Sequence, residues 1–195
     1  MADNTDSVEF YDEDPDYALI ESMARGDARA LDELYARHGG GILGYLTNFL
    51  RDRQLAEEVL QDVMLAAWNS AAKFRGDSKV RTWLLVIARN RAINTQRKKL
   101  PNFVPLEEDL NAYSTDTGPL EKVVRRSEHM MLKDAIQTLP PAHREILELV
   151  FFHQLTGPEI ADVLGITVGT VKSRLHRAKE TLRRIMQMMG EVSDA

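Results

Sequence analysis

Five histidines and no cysteine are all that the 195-residue chain offers to metal or nucleophilic chemistry. His38, His129, His143, His153 and His176 form no H-x-x-x-H pair, and there is no nucleophile elbow and no phosphate-cradling glycine loop. Without cysteine there are no disulfides and no thiolate metal sites. The expectation is a protein that is not an enzyme and carries no cofactor and no metal. Recognition by charge remains. Lys172, Arg174, His176, Arg177, Lys179, Arg183 and Arg184 crowd one short stretch. Cations at helical spacing neutralise phosphates and reach base edges.

The elements that must position them are written between Leu155 and Arg184. Thr156 and Glu159 make a capping box with Pro158 in the first turn, where a missing amide proton costs nothing, so a helix starts near Thr156. Ile160, Ala161, Val163 and Leu164 form its apolar face, and Gly165 sits where a positive φ ends a helix. Thr167 caps a second helix with the apolar stripe Val168, Val171, Leu175, Ala178 and Leu182. The pattern is a helix-turn-helix with a basic second helix, against the plainer alternative of a helical hairpin with a solvated basic face. On this stripe, Thr170, Ser173, Arg174 and Arg177 fall on the free flank, as candidates for base edges and phosphates in a major groove.

A net charge of −5 argues against a polyanionic partner only if it is spread evenly, and it is not. Residues 1–17 hold seven acids and no base, and residues 101–121 hold five acids and no base. Residues 18–100 carry a net +5 and residues 122–195 a net +2. Two basic blocks are thus preceded and separated by acidic ones. No apolar run is long enough to span a membrane and the acidic start is unlike a signal or transit peptide, so a cytoplasmic protein without membrane insertion is expected.

Taken in order, residues 1–17 lack periodicity and read as a disordered acidic tail, either a plain solvated one or a mimic of DNA that competes for the basic surfaces. From Tyr17 to about Leu50 apolar residues recur at helical spacing, with Gly26-Asp27 and Gly39-Gly40-Gly41 as breaks. Gln54 to Ala72 form another helix on which Glu57, Glu58, Gln61 and Asp62 share an acidic face, either solvated or docked on a basic partner. Phe74 to Ser78 (F-R-G-D-S) is a short loop whose Asp77 or Ser78 caps a helix from Lys79 to Lys99. That helix interleaves Lys79, Arg81, Arg89 and Arg91 with Trp83, Leu84 and Ile87, which suits single-stranded nucleic acid if Trp83 is a stacking platform and not core. An adhesion role for the R-G-D triplet does not fit a cysteine-free chain without an export signal. Residues 101–121, with three prolines, read as a linker. Helical spacing resumes from Glu121 to Thr138, and Pro140-Pro141 precede a helix from Ala142 to His153. No strand pattern appears. The expected fold is all-α, two small helical domains joined by a flexible linker: a tail at 1–17, a domain at 18–100, the linker at 101–121 and a helix-turn-helix domain at 122–190.

Three strings together resemble bacterial RNA polymerase sigma factors of the extracytoplasmic-function (ECF, group 4) type of the sigma-70 family. F-R-G-D-S-K-V-R-T-W-L-L-V-I-A-R-N-R-A-I-N resembles the part that reads and melts the −10 element. A-E-E-V-L-Q-D-V-M-L-A-A-W resembles the preceding helix, which docks on the polymerase clamp. The segment from L-P-P-A-H-R-E to T-V-K-S-R-L-H-R-A-K resembles the −35-reading domain. The resemblance implies a sigma-2-like and a sigma-4-like domain, and partners in core RNA polymerase (largest-subunit clamp and flap), promoter DNA and an anti-sigma factor. It places Glu58, Gln61, Asp62 and Met64 against core polymerase. Phe74, Arg75, Gly76, Asp77 and Ser78 become a loop that captures a flipped base, and Lys79, Arg81, Trp83, Arg89 and Asn90 line the strand-separation surface. Thr170, Lys172, Ser173, Arg174 and Arg177 face the −35 element. A stand-alone helix-turn-helix regulator is the alternative. It leaves the F-R-G-D-S loop and the basic helix after it unexplained.

Overall fold

The computed structural model describes residues 14–99, 132 and 135–193. Among them every regular element is helical, and they fall into two compact units. Most of the acidic tail, the linker at 101–121 and most of the helix expected over 121–138 lie outside the described residues.

The first unit begins with α1 (Tyr17–Ala24), which buries Ile20 and Met23. It stops where Gly26 takes φ +91°. Asp27 then caps α2 (Ala28–Leu50) by accepting from the Arg29 amide at 3.0 Å. The three-glycine break expected at 39–41 is absent, because α2 runs through it. Glycine costs a helix about 1 kcal/mol relative to alanine, but burial of Ile42, Tyr45 and Leu46 just beyond outweighs that. The space at Gly39 is used as well: a Cβ there would lie 3.3 Å from the Tyr35 ring.

Arg51 closes α2 in the left-handed region (φ 57°), and Asp52 caps α3 (Arg53–Ser70) through the Leu55 amide at 3.0 Å. A 3-10 turn at Ala71–Lys73 and a loop lead to α4 (Val80–Lys99). Helices α2, α3 and α4 pack on one another around Leu34, Leu46, Val63, Leu84, Leu85 and Ala88, with α1 laid against α2.

In the second unit Ala135, Ile136 and Leu139 are buried ahead of α5 (Pro141–Phe151), which starts on proline at its first position. Gln154, left-handed at φ 52°, turns the chain into α6 (Gly157–Leu164), and α7 (Val168–Ser193) follows. Ile146, Leu147, Leu149 and Ile160 are buried in this unit, and α5 packs on α7.

Residues 14–17 do not belong to a solvated tail. Asp16 is 9% exposed, accepts from Arg37, and sits 2.6 Å from His38 Nε2. These hydrogen bonds, to Asp16 first and then Glu33, favour the charged form of the Arg37 guanidinium further.

Candidate nucleic-acid interface

The helix-turn-helix is built as its capping residues dictate. The Thr156 amide donates to Glu159 Oε2 at 2.7 Å, and the Glu159 amide returns toward Thr156 Oγ1 at 3.5 Å. Gly165 takes φ +69°, and the Ile166 amide reaches back to the Ala161 carbonyl at 3.1 Å. Thr167 Oγ1 then accepts from the Thr170 amide at 3.2 Å and starts α7.

The buried stripe of α7 is rotated from the expected one. Val171, Arg174, Ala178 and Leu182 face inward, whereas Leu175 is half-buried and Val168 is 38% exposed. Arg174 is therefore corrected from the free flank to the inner face: it is 6% exposed and its Nε has no hydrogen-bond partner. Thr170 is half-buried, its hydroxyl 2.9 Å from that of Thr167. Lys172, Ser173 and Arg177 are exposed together with His176, and positions i, i+1, i+4 and i+5 put these four on one face. His176, 3.5 Å from Glu180, was read from the sequence as one of the basic residues of this helix and not as a candidate −35 contact. Its spacing from Lys172 and Ser173 was the available signal. Behind this face, burial first, and then the charges of Arg174 and Arg177, lower the pKa of His143.

In the first unit, the loop before α4 is pinned at both ends. The Phe74 ring packs at a tilt between those of Tyr17 (ring centroids 6.1 Å, 44°) and Trp83 (4.8 Å, 39°). At the other end the Val80 amide donates to Asp14 Oδ2 at 2.7 Å. The cap of α4 thus comes from 66 residues upstream and not from Asp77 or Ser78. Asp77 is held by Arg75 Nε at 3.1 Å instead. Between these anchors Arg75, Asp77 and Lys79 are exposed, and Gly76 is buried with φ +72°. Ser78, Arg81 and Trp83 are half-buried and Asn90 is exposed, as is Arg91. Arg89 is corrected: it is 6% exposed and engaged within the protein, so it does not line the open surface.

On α3, Glu57, Glu58, Gln61 and Asp62 form a continuous exposed face, with Glu57 held by Arg53 at 3.0 Å. Met64 is corrected to the core at 6% exposure. Its neighbour Leu65, 59% exposed, is the apolar side chain that the acidic face presents. Among the described residues no His, Asp and Glu cluster could hold a metal, and no helix is long and apolar enough to cross a membrane.

Comparison with known proteins agrees with this layout. Residues 34–100 match the family model for sigma-70 region 2, and residues 129–182 match the one for sigma-70 region 4. RNA polymerase sigma-H factor of Pseudomonas aeruginosa is 34% identical over 90% of this chain and 95% of its own length. The ECF RNA polymerase sigma-E factor of Haemophilus influenzae is 33% identical over 88% of this chain and 95% of its own. The ECF sigma factor RpoE of Cereibacter sphaeroides is 36% identical over 82% and 88%. Among solved structures, CnrH in complex with the cytosolic domain of CnrY superposes with a TM-score of 0.64 at 26% identity, covering 90% of this chain and 99% of that one. Sigma factor RpoE of Bartonella quintana, in complex with the anti-sigma factor NepR, shares the fold with a TM-score of 0.59 at 21% identity, over 80% and 96%. The chain belongs to the ECF group of the sigma-70 family of RNA polymerase sigma factors. It directs core RNA polymerase to promoter DNA, and the stand-alone regulator is set aside.

Proposed function

We propose that the two units divide promoter recognition between them. In the first, the face of Glu58, Gln61, Asp62 and Leu65 docks on core polymerase, while Phe74–Ser78 with Lys79, Arg81, Trp83 and Asn90 reads and opens the −10 element. In the second, Lys172, Ser173, His176 and Arg177 read the −35 element, with Thr170 at the turn. The chain contributes binding energy and no bond chemistry of its own, and works in the cytoplasm where its polymerase is. An anti-sigma factor restrains it, a reading supported by CnrH, whose solved complex holds the cytosolic domain of CnrY.

The observation that carries the proposal is the exposed row Lys172, Ser173, His176 and Arg177 on a helix launched by a capped, glycine-closed turn. Transcription from a promoter library with core polymerase tests it. Arg177→Ala is expected to lose about 1–3 kcal/mol at one upstream base pair if Arg177 grips a guanine. A uniform loss across all upstream sequences would demote Arg177 to a phosphate contact. For the −10 half, permanganate footprinting of Arg75→Ala should show impaired opening that a pre-melted template rescues.

A further inference from the structure

We propose that Asp14-Pro15-Asp16-Tyr17 is a positioning element for strand capture: it presets the Phe74–Ser78 loop and the first turn of α4 in the shape that receives an unpaired DNA base. The inference rests on the −10 reading given above and assigns this segment a part that the family match, which begins at residue 34, does not cover.

The geometry is a double anchor. Asp14 Oδ2 accepts from the Val80 amide at 2.7 Å, while Asp14 Oδ1 accepts from the Asp16 amide at 3.0 Å. Both carboxylate oxygens are therefore engaged, and the side chain has one orientation. The negative charge stands at the N-terminus of α4, where unpaired amides favour an anion, and a charge-assisted bond there is stronger than a neutral one. Two residues on, Asp16 is clamped by Arg37 and His38 from α2. This ties the segment to the body of the unit. Tyr17 then lies against Phe74, and Phe74 against Trp83.

The loop is thus held at its first residue by tilted ring contacts and just past its last by a cap. Between these anchors Arg75 and Asp77 are exposed and, among the described residues, bonded to each other across the buried, left-handed Gly76. A site held this way binds without first losing the freedom of its own loop, which raises affinity through preorganisation and not through contacts. Asp14 and Tyr17 are accordingly positioning residues, and neither needs to touch DNA.

The test uses the full chain assembled with core polymerase. The probe is a labelled single-stranded DNA that the wild-type holoenzyme selects from a random pool. Asp14→Ala is expected to weaken probe binding about fivefold to tenfold, roughly 1–1.4 kcal/mol, at 20 °C and with unchanged affinity for core. Asp14→Asn, whose oxygen can still accept from the Val80 amide but whose NH2 then meets the Asp16 amide and whose charge is gone, should fall between wild type and Asp14→Ala. Tyr17→Leu, which keeps apolar bulk and removes the ring, serves if Asp14→Ala assembles poorly, and the same weakening is expected. Unchanged probe affinity in Asp14→Ala or Tyr17→Leu, with only a lower melting temperature, would overturn the proposal. Arg75→Ala separates the two readings. If it weakens the probe while the anchor variants do not, the positioning role falls and the −10 assignment stands. If none of the three matters, the −10 assignment of the loop falls and takes this inference with it.

Discussion

Arg174 shows how a single side chain can be misplaced by a pattern and recovered by its surroundings. Period-3.6 counting favours Leu175 over Arg174 because it scores polarity, yet the two are one position apart and the backbone buries 174. A buried guanidinium nitrogen without a partner carries a desolvation penalty. Arg174→Met is therefore expected to keep the upstream sequence preference and to act, if at all, on the thermal stability of the second unit. Promoter-library profiles together with melting curves decide this. For His143, burial and the two arginines lower the folded-state pKa below the ordinary 6.5. The unfolded chain therefore takes up the proton first as pH falls. Stability associated with the neutral imidazole is complete above about pH 7.5. It is lost as pH drops through 6.5 and on through the lowered folded value. His143→Gln should flatten that acid limb, read as the difference between wild-type and variant denaturation midpoints from pH 8 to pH 5. Arg89 and Met64 belong to the same lesson: the family resemblance implied a surface role, and packing assigned both to the interior.

Elements were more readable than residues, because caps and turns are local chemistry. The capping box at Thr156 and Glu159, the positive φ of Gly165 and the cap at Thr167 all stand where the sequence places them. Propensity failed where tertiary burial opposed it, at Gly39–Gly41 inside α2. It also failed where the partner was remote, since no local rule reveals that Asp14 caps α4. On α3 the acidic face was readable from spacing, while Leu65, its exposed apolar member, emerges only from the burial of Met64. Like charges at i, i+4 cost a few tenths of a kcal/mol in a helix, which the proposed docking on core polymerase would offset at Glu58 and Asp62. Reversing both to Lys should weaken core binding by at least tenfold with the helical circular dichroism unchanged. Leu65→Ala should also weaken it, as the loss of an apolar anchor surrounded by polar contacts. Unaltered pull-down of core by the double variant would remove α3 from the docking surface.

For the molecule as a whole, the charge partition matters more than the total. Acidic blocks at 1–17 and 101–121 accompany two net-basic blocks on one chain, and the expectation drawn from this is that their carboxylates compete with phosphate for the basic surfaces. The isolated chain is expected to prefer promoter over scrambled duplex by less than about tenfold at physiological salt, and to gain its selectivity on binding core enzyme. Fluorescence titrations with and without core check this, and a strong preference in the free chain would count against it. Finally, the bond from Asp14 to the Val80 amide joins the beginning of the chain to a point 66 residues later, which sets an order of events during synthesis. The ribosome makes about 5–20 residues per second. The segment that completes the loop before α4 therefore waits about 3–13 s for its counterpart to be made, and longer for it to clear the exit tunnel. What is translated among the first residues of this unit can be among the last to find its place, and a nascent chain stalled before Val80 lacks the anchor that closes the loop before α4.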